Sequence, residues 1–208
     1  MGTRNLTIVT SNGKTKVAQY GQWDGYPGGQ GLTALSTLKR IIHNGQLGQF
    51  KAKIDNMQWL DKEGAEKIEK DENWTVNYPY LSRDCGAQIL EAIHFGTMQV
   101  HAGIGEKKEV TVNVIGLSDQ YEFAADSLFC EWAYVIDLDK GTFEVYEGFN
   151  KTPLTETDRF YPLQVANKEQ GEYYPIKLLA SFDINNLPSE PDFLAIEKEE
   201  EATEDLPI

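Results

Sequence analysis

The sequence predicts an α+β fold in which two antiparallel hairpins supply the sheet and helices from the middle of the chain pack against it. Three observations predict this class. Asn12-Gly13 separates two strand-like runs near the start, Asp139-Lys140-Gly141 separates two more near the end, and an amphipathic helical pattern follows the first pair. The 208 residues suit one domain with a sizeable core.

The first hairpin rests on the strongest short-range turn signal in the chain. Residues 3–10 are rich in β-branched side chains, residues 14–23 form the partner run, and Asn12-Gly13 lies between them. Because the turn is at the far end, Arg4 and Asp24 are expected to be neighbours at the free end of the hairpin.

Three helices are predicted after this hairpin. The first covers 32–44 and ends at Gly45, with apolar side chains on one face. A short, highly charged helix is predicted over 61–71. A buried helix is predicted over 84–95, with Asp84 as its N-cap.

The second half of the chain returns to β patterning. Strands are predicted over 109–117 and 129–138, and the latter joins 142–147 through a hairpin turn. Prolines and polar residues indicate irregular structure over 153–175, and 174–182 is a candidate last element.

Charge divides the chain into regions. The net charge is -14, yet residues 1–53 carry seven basic residues and one acid. Residues 189–208 hold eight acids and one lysine, which predicts a single domain over 1–188 followed by a disordered acidic tail. The acidic remainder makes nucleic-acid binding unlikely.

Composition also indicates the cellular compartment of the protein and whether it binds a cofactor. The chain has no long apolar run, so no membrane association is expected. Cys85 and Cys130 lie far apart and form no metal-like pair, which favours reduced thiols in the cytoplasm. The three histidines are dispersed, so neither a metal nor another cofactor is expected.

The glycine-rich loop 22–31 leads directly into the first helix. Glycines at 28, 29 and 31 would leave backbone N–H groups free beside the positive end of a helix dipole, which suits an anionic ligand. Residues 29–34 also match a dinucleotide fingerprint, but the hairpin before them argues against it. The alternative is a tight turn whose Trp23 and Tyr26 cap the core.

A second cluster is Ser82-Arg83-Asp84-Cys85-Gly86, which places a carboxylate and a thiol at a predicted helix start. A nucleophilic cysteine normally needs a histidine, and none has a suitable spacing. The favoured interpretation is structural: Asp84 caps the helix, Arg83 is its counter-charge and Cys85 is a buried apolar residue.

Three motifs together resemble a widespread and largely uncharacterised group of bacterial, phage and fungal proteins. They are the "MGTR" start, the "WDGYPxGxG" loop at 23–31 and the segment 81–87. The resemblance extends to about Gly148 and implies a family site without naming a reaction. The two hairpins are also similar in layout to N-terminal nucleophile hydrolases, although removal of Met1 would expose Gly2 rather than a nucleophile.

The resulting hypothesis is a protein that binds an anionic or nucleotide-like small molecule, as a phage-borne inhibitor or sequestering protein of host defence. Its predicted site comprises Arg4, Gln22, Asp24, Tyr26, Gly28, Gly29, Gly31, Arg83 and Asp84. One alternative is a hydrolase of amide or nucleotide bonds with Asp24 or Asp84 as general base. Another is an inhibitor that binds a host protein through its acidic surface. The oligomeric state and any catalytic activity stay open.

Overall fold

The computed structural model describes residues 2–103, 105–166 and 171–204, and within them the chain forms seven strands. They are β1 (Asn5–Ser11), β2 (Lys14–Gly21), β3 (Thr97–Gly103), β4 (Glu106–Thr111), β5 (Trp132–Asp137), β6 (Thr142–Glu147) and β7 (Lys177–Asp183). Five of them form the main sheet in the order β2-β1-β5-β6-β7, and β3 pairs with β4 alone.

Seven helices accompany these strands in the described residues. They are α1 (Leu32–His43), α2 (Leu47–Asp55), α3 (Lys62–Glu69), α4 (Trp74–Asn77), α5 (Ile89–Phe95), α6 (Tyr161–Ala166) and α7 (Glu190–Glu204). The α+β class predicted from the sequence is therefore confirmed. No helix of the described residues is long and apolar enough to cross a bilayer.

Both predicted hairpins are present, but a parallel pair joins them. β1 pairs with β2 and β5 pairs with β6 in antiparallel register, whereas β1 and β5 run parallel, from Asn5 opposite Trp132 to Thr10 opposite Asp137. The main sheet is mixed, so the expectation of antiparallel pairing throughout is wrong at its centre. The layering of N-terminal nucleophile hydrolases is not shown, because the helices pack on one mixed sheet and the other sheet has only two strands.

Alternation along the central strands separates two apolar layers. On one face of the sheet, Leu6 and Ala133 belong to an apolar cluster covered by residues 121–124 and 154–163. On the other face, Val9 and Tyr134 belong to a second cluster, covered by α1, α2, α5 and α7. All seven residues of β1 are buried, as expected for a strand with a neighbour on each side and a cluster on each face.

The C-terminal segment is helical where a disordered tail was expected. Phe193 of α7 is fully buried, with its ring centroid 5.9 Å from that of Phe143 and 6.3 Å from that of Phe182. An apolar face at the start of α7 precedes the acidic run and gains burial against the sheet. Residues 205–208 lie outside the described part of the chain.

Several predicted elements are shifted in the structure. α5 begins at Ile89 after a 3₁₀ turn, and Asp84 does not cap it. Asp61 does cap α3, since its side chain accepts a hydrogen bond from the Gly64 amide at 2.7 Å. The strand predicted over 109–117 ends at Thr111 and belongs to the small sheet, and the last predicted element is β7.

The two hairpin turns meet at one end of the main sheet, which we call the turn end. The Asp139 carboxylate accepts hydrogen bonds from the backbone amides of Asn12 (2.9 Å) and Gly13 (2.8 Å), and Lys51 Nζ lies 3.3 Å from it. Asn12 and Gly13 have φ values of 55° and 67°, as a tight two-residue turn requires.

A buried ion-pair cluster lies next to the turn end. Arg159 Nη2 contacts Asp137 at 2.6 Å and Glu144 at 2.9 Å, and Tyr146 Oη donates to Glu144 at 2.7 Å. Burial raises the pKa of both carboxyl groups, but the hydrogen bonds and charge of Arg159, together with hydrogen bonds from neighbouring groups, outweigh it and leave each pKa below its ordinary value. The cluster holds the 153–160 segment against β5 and β6.

Candidate functional site at the open end of the main sheet

The opposite end of the main sheet, which we call the open end, gathers loops from distant parts of the chain. Asn5, Trp132, Glu147 and Lys177 form a row across β1, β5, β6 and β7 there. Beyond this row lie residues 2–4, the loop 22–31 and the loops on either side of the β5–β6 hairpin. The sequence-predicted site residues are found mainly here.

The amides of the glycine-rich loop are already occupied. Gly29 N and Gly31 N donate to the Tyr26 carbonyl at 2.9 and 3.4 Å, and Gln30 N donates to the Asp24 carbonyl at 2.7 Å. These three groups close a π-helical turn that continues into α1. These amides are therefore occupied by hydrogen bonds within the loop, and the structure does not present them as an open cradle.

The glycines of this loop instead permit close packing. A Cβ at Gly31 would lie 2.8 Å from the Tyr134 ring, and a Cβ at Gly29 would clash with the Asp24 carbonyl oxygen. Tyr134 Oη donates to the Gly25 carbonyl at 2.8 Å. The structural alternative, in which the glycines serve a tight chain reversal, thus has direct support.

The two motifs singled out in the sequence lie against each other. Gln22 N donates to the Arg83 carbonyl at 2.8 Å, and Trp23 Nε1 donates to Asp84 Oδ1 at 2.9 Å. The Gln30 side chain accepts a hydrogen bond from the Ala87 amide at 2.8 Å. Sequence reasoning missed this contact. Asp84 does not cap α5 because the helix begins five residues later, at Ile89, after the 3₁₀ turn.

Arg4 lies beside the loop, but its guanidinium group contacts residues outside the loop. Gly25 N donates to the Thr3 carbonyl at 2.9 Å, so the two segments adjoin as expected. The Arg4 guanidinium, however, pairs with Glu131 at 3.3 Å and lies 4.6 Å from the centroid of the Phe129 ring. Glu131, rather than the predicted Asp24, is therefore its partner.

A cleft of about 560 Å³ opens at this end, which we call the sheet-end cleft. It lies on the sheet face that α7 covers, since Trp132 packs against that apolar cluster. Charged, aromatic and small polar groups line it: Glu131, Trp132, Glu147, Gly148, Phe149, Asn150, Lys151, Thr152, Lys177 and Glu197. No residue of the predicted site lines this cleft, so the structure does not assemble that site into one cavity.

A second, smaller groove of about 350 Å³ does include two predicted residues. Gly28 and Gly29 line it together with the first turns of α1, Lys39 and Glu190 at the start of α7. A Cβ at Gly28 would lie 3.6 Å from a methyl carbon of Leu194. The C-terminal helix therefore contributes to both cavities.

Neither of the two cysteines, both among the described residues, is an activated nucleophile. Cys85 and Cys130 are fully buried, and burial raises the pKa of both thiols. No group of three or more His, Cys, Asp or Glu side chains in the described ranges is placed to hold a metal ion. Asp24 and Asp84, the predicted general bases, line neither the sheet-end cleft nor the smaller groove.

Comparison of the chain with profiles of protein families, with curated proteins and with solved structures gave no match. The family resemblance inferred from the motifs thus stays a prediction. The function has to be argued from the geometry of the open end.

Proposed function

We propose that this chain is a binding protein for a small, nucleotide-like ligand, which it holds in the sheet-end cleft. The observation that carries the proposal is the size and lining of the cleft. Its volume of about 560 Å³ lies within the range of small-molecule sites, and charged and aromatic side chains converge on it.

The side chains of the cleft suit the parts of such a ligand. Lys177 supplies a cation for an anionic group, beside Lys151, which pairs with Glu172 at 2.8 Å. The carboxylates of Glu131 and Glu147 accept hydrogen bonds from hydroxyl or N–H groups. Phe149, whose side chain is exposed, offers a ring face on which a flat heterocycle can stack.

The hydrolase alternative relies on Asp24 or Asp84 as general base, and neither carboxylate lines the cleft, which favours binding over hydrolysis there. A protein that holds a ligand of this class without altering it would act by sequestering it. The sequence predicts the same inhibitory role, but with the ligand bound at the glycine-rich loop instead of in the cleft.

The proposal is tested by incubating the protein with a panel of cyclic and ADP-ribose-type nucleotides, then denaturing it and identifying the released compounds. Binding without chemistry returns the ligand intact, and an altered ligand would instead support the hydrolase alternative. A panel in which no compound is retained or changed would contradict both.

Two lysine variants locate the site in the same assay. Lys177→Ala is expected to weaken binding about tenfold, because it removes one of the cations of the cleft. Lys140→Ala, in the turn at the opposite end of the sheet, is the matched control and should bind as the wild type does. Equal losses in both variants would contradict the assignment to the cleft.

A further inference from the structure

Exposed aromatic side chains are concentrated at the open end. Four of the five exposed aromatic residues of the described chain lie in its loops: Trp23 (46% exposed), Tyr26 (39%), Phe129 (44%) and Phe149 (54%). We call these four residues the aromatic rim. Exposed apolar surface grouped in this way is typical of interaction sites, whereas scattered residues are not.

Residues 2–4 connect two members of the rim, Trp23 and Phe129. A Cβ at Gly2 would clash with the Trp23 ring, so the backbone at position 2 lies directly against the indole. Two residues later, the Arg4 guanidinium lies over Phe129. Consecutive Cα atoms are about 3.8 Å apart, so this short segment joins the two rings.

Two loops of the rim hold strained backbone. Phe149 has φ 51° and Asp24 has φ 54°, the left-handed region that residues with a Cβ rarely adopt. Phe149 N donates to the Ser127 carbonyl at 2.7 Å, which fixes this conformation and leaves the ring in solvent. Strained backbone conformations are typical of functional sites, so the strained backbone that exposes the Phe149 ring points to a functional role for that ring.

Two aromatic rings of this protein already bind arginine side chains of the same chain. Arg4 lies over Phe129 while pairing with Glu131. Independently, Arg40 lies 3.9 Å from the centroid of Phe95 and pairs with Glu91 at 3.0 Å. In both cases a guanidinium covers a ring and an adjacent carboxylate neutralises it.

Trp23 and Asp84 form a third pair of this kind. The indole N–H donates to the carboxylate at 2.9 Å, so ring and acid are adjacent and both are exposed. Among the described residues, the cation–π contacts fall on Phe129, Phe95 and Tyr173, and the indole face of Trp23 carries none.

We propose that the Trp23–Asp84 pair receives an arginine side chain of a partner protein, and that the aromatic rim is the docking surface for the basic segment that carries it. The net charge of -14 favours the approach of a basic partner. Arg83 precedes Asp84 in the sequence, and the three acids Asp24, Asp84 and Glu131 outnumber Arg83 and Arg4 in these loops. This inference goes beyond ligand binding, because only Phe149 of the rim lines the sheet-end cleft.

The test measures binding of a blocked peptide in which arginine and glycine alternate, with a lysine version of the same peptide as comparison. The arginine peptide is expected to bind several-fold more tightly, because guanidinium stacks on an indole more favourably than ammonium does. Trp23→Ala should weaken binding roughly tenfold, and the matched control Trp59→Ala, which alters the fifth exposed aromatic residue, should not change it.

Asp84→Asn separates a binding effect from a folding effect. The amide oxygen can still accept the hydrogen bond from Trp23, so the loop is expected to stay in place while peptide affinity falls roughly threefold. Circular dichroism of each variant checks the fold.

Three results would overturn the proposal. One is no binding of the arginine peptide, and another is equal affinity in the wild type, Trp23→Ala and Asp84→Asn, which would indicate non-specific attraction to an acidic protein. The third is self-association of the chain that Trp23→Ala abolishes, since the occupant would then be a second copy. Lys177→Ala, a cleft variant, should bind the peptide normally.

Discussion

The two ends of the main sheet use their polar and aromatic groups in opposite ways. At the turn end, Asp139 accepts hydrogen bonds from two backbone amides and pairs with Lys51, and Arg159 pairs with two buried carboxylates nearby. At the open end, a cleft of about 560 Å³ is lined by charged side chains and four aromatic rings face solvent. The turn end holds the strands together, and the open end presents groups to other molecules.

This contrast indicates where function and stability can be separated. Each hydrogen-bonding group described at the turn end has an intramolecular partner, so substitutions there should act on folding alone. Substitutions of exposed groups at the open end should act on binding and leave the fold largely intact.

The largest expected effect is on the buried cluster near the turn end. Arg159→Met removes the cation between Asp137 and Glu144, which are 6% and 7% exposed. Breaking a buried pair in this way typically costs about 3–5 kcal/mol, so the free energy of unfolding in urea should fall by that amount. Arg83→Met at the exposed end is the control and should change it by less than about 0.5 kcal/mol.

A somewhat smaller loss is expected when α7 is loosened from the sheet. Phe193→Ala removes a fully buried ring and should lower the unfolding free energy by about 3 kcal/mol. Because Glu197 lines the sheet-end cleft, ligand affinity should fall as well. Unchanged stability would show that the helix does not pack as described.

Paired glycine substitutions test the glycine-rich loop. Gly29→Ala introduces a Cβ against the Asp24 carbonyl, and such overpacking typically costs about 1–3 kcal/mol. Gly48→Ala lies within α2 with no atom within 4 Å of the new Cβ, so it should stabilise the protein by about 0.5–1 kcal/mol. Thermal unfolding of both variants measures the difference, and a neutral Gly29→Ala would contradict the packing role of the loop.

The smallest expected effect is a pH dependence. Asp137 and Glu144 have lowered pKa values in the folded protein, so the stabilisation they contribute is complete above about pH 4.5. It is lost as the pH falls through their folded values, because the unfolded chain then binds more protons. Urea unfolding between pH 6 and about pH 3 should show this decline, and Arg159→Met should reduce its slope.

Local signals in the sequence were sufficient for the hairpins and the first helix. Asn12-Gly13 and Asp139-Lys140-Gly141 fix their turns through glycine conformations, and the apolar face of α1 fixes its orientation. The parallel pairing of β1 with β5 was not predictable in this way, since nothing local in either strand specifies a partner so distant along the chain.

The candidate site was only partly accessible from the sequence. Arg4, Trp23 and Asp84 do gather at the open end, because two motifs dock on each other. The sheet-end cleft draws Glu147, Lys177 and other residues from separate segments, and no spacing along the chain relates them. The acidic run after Glu197 also obscured the apolar face that anchors α7.

The central position of β1 constrains how the protein can be made. The strand emerges early from the ribosome, yet its parallel partner begins 127 residues after it, from Asn5 to Trp132. At ordinary elongation rates the first hairpin waits about 6–25 s with one edge unpaired. During that interval the unpaired edge of β1 is available to other nascent chains, so synthesis speed and chaperone access should govern the yield of folded protein.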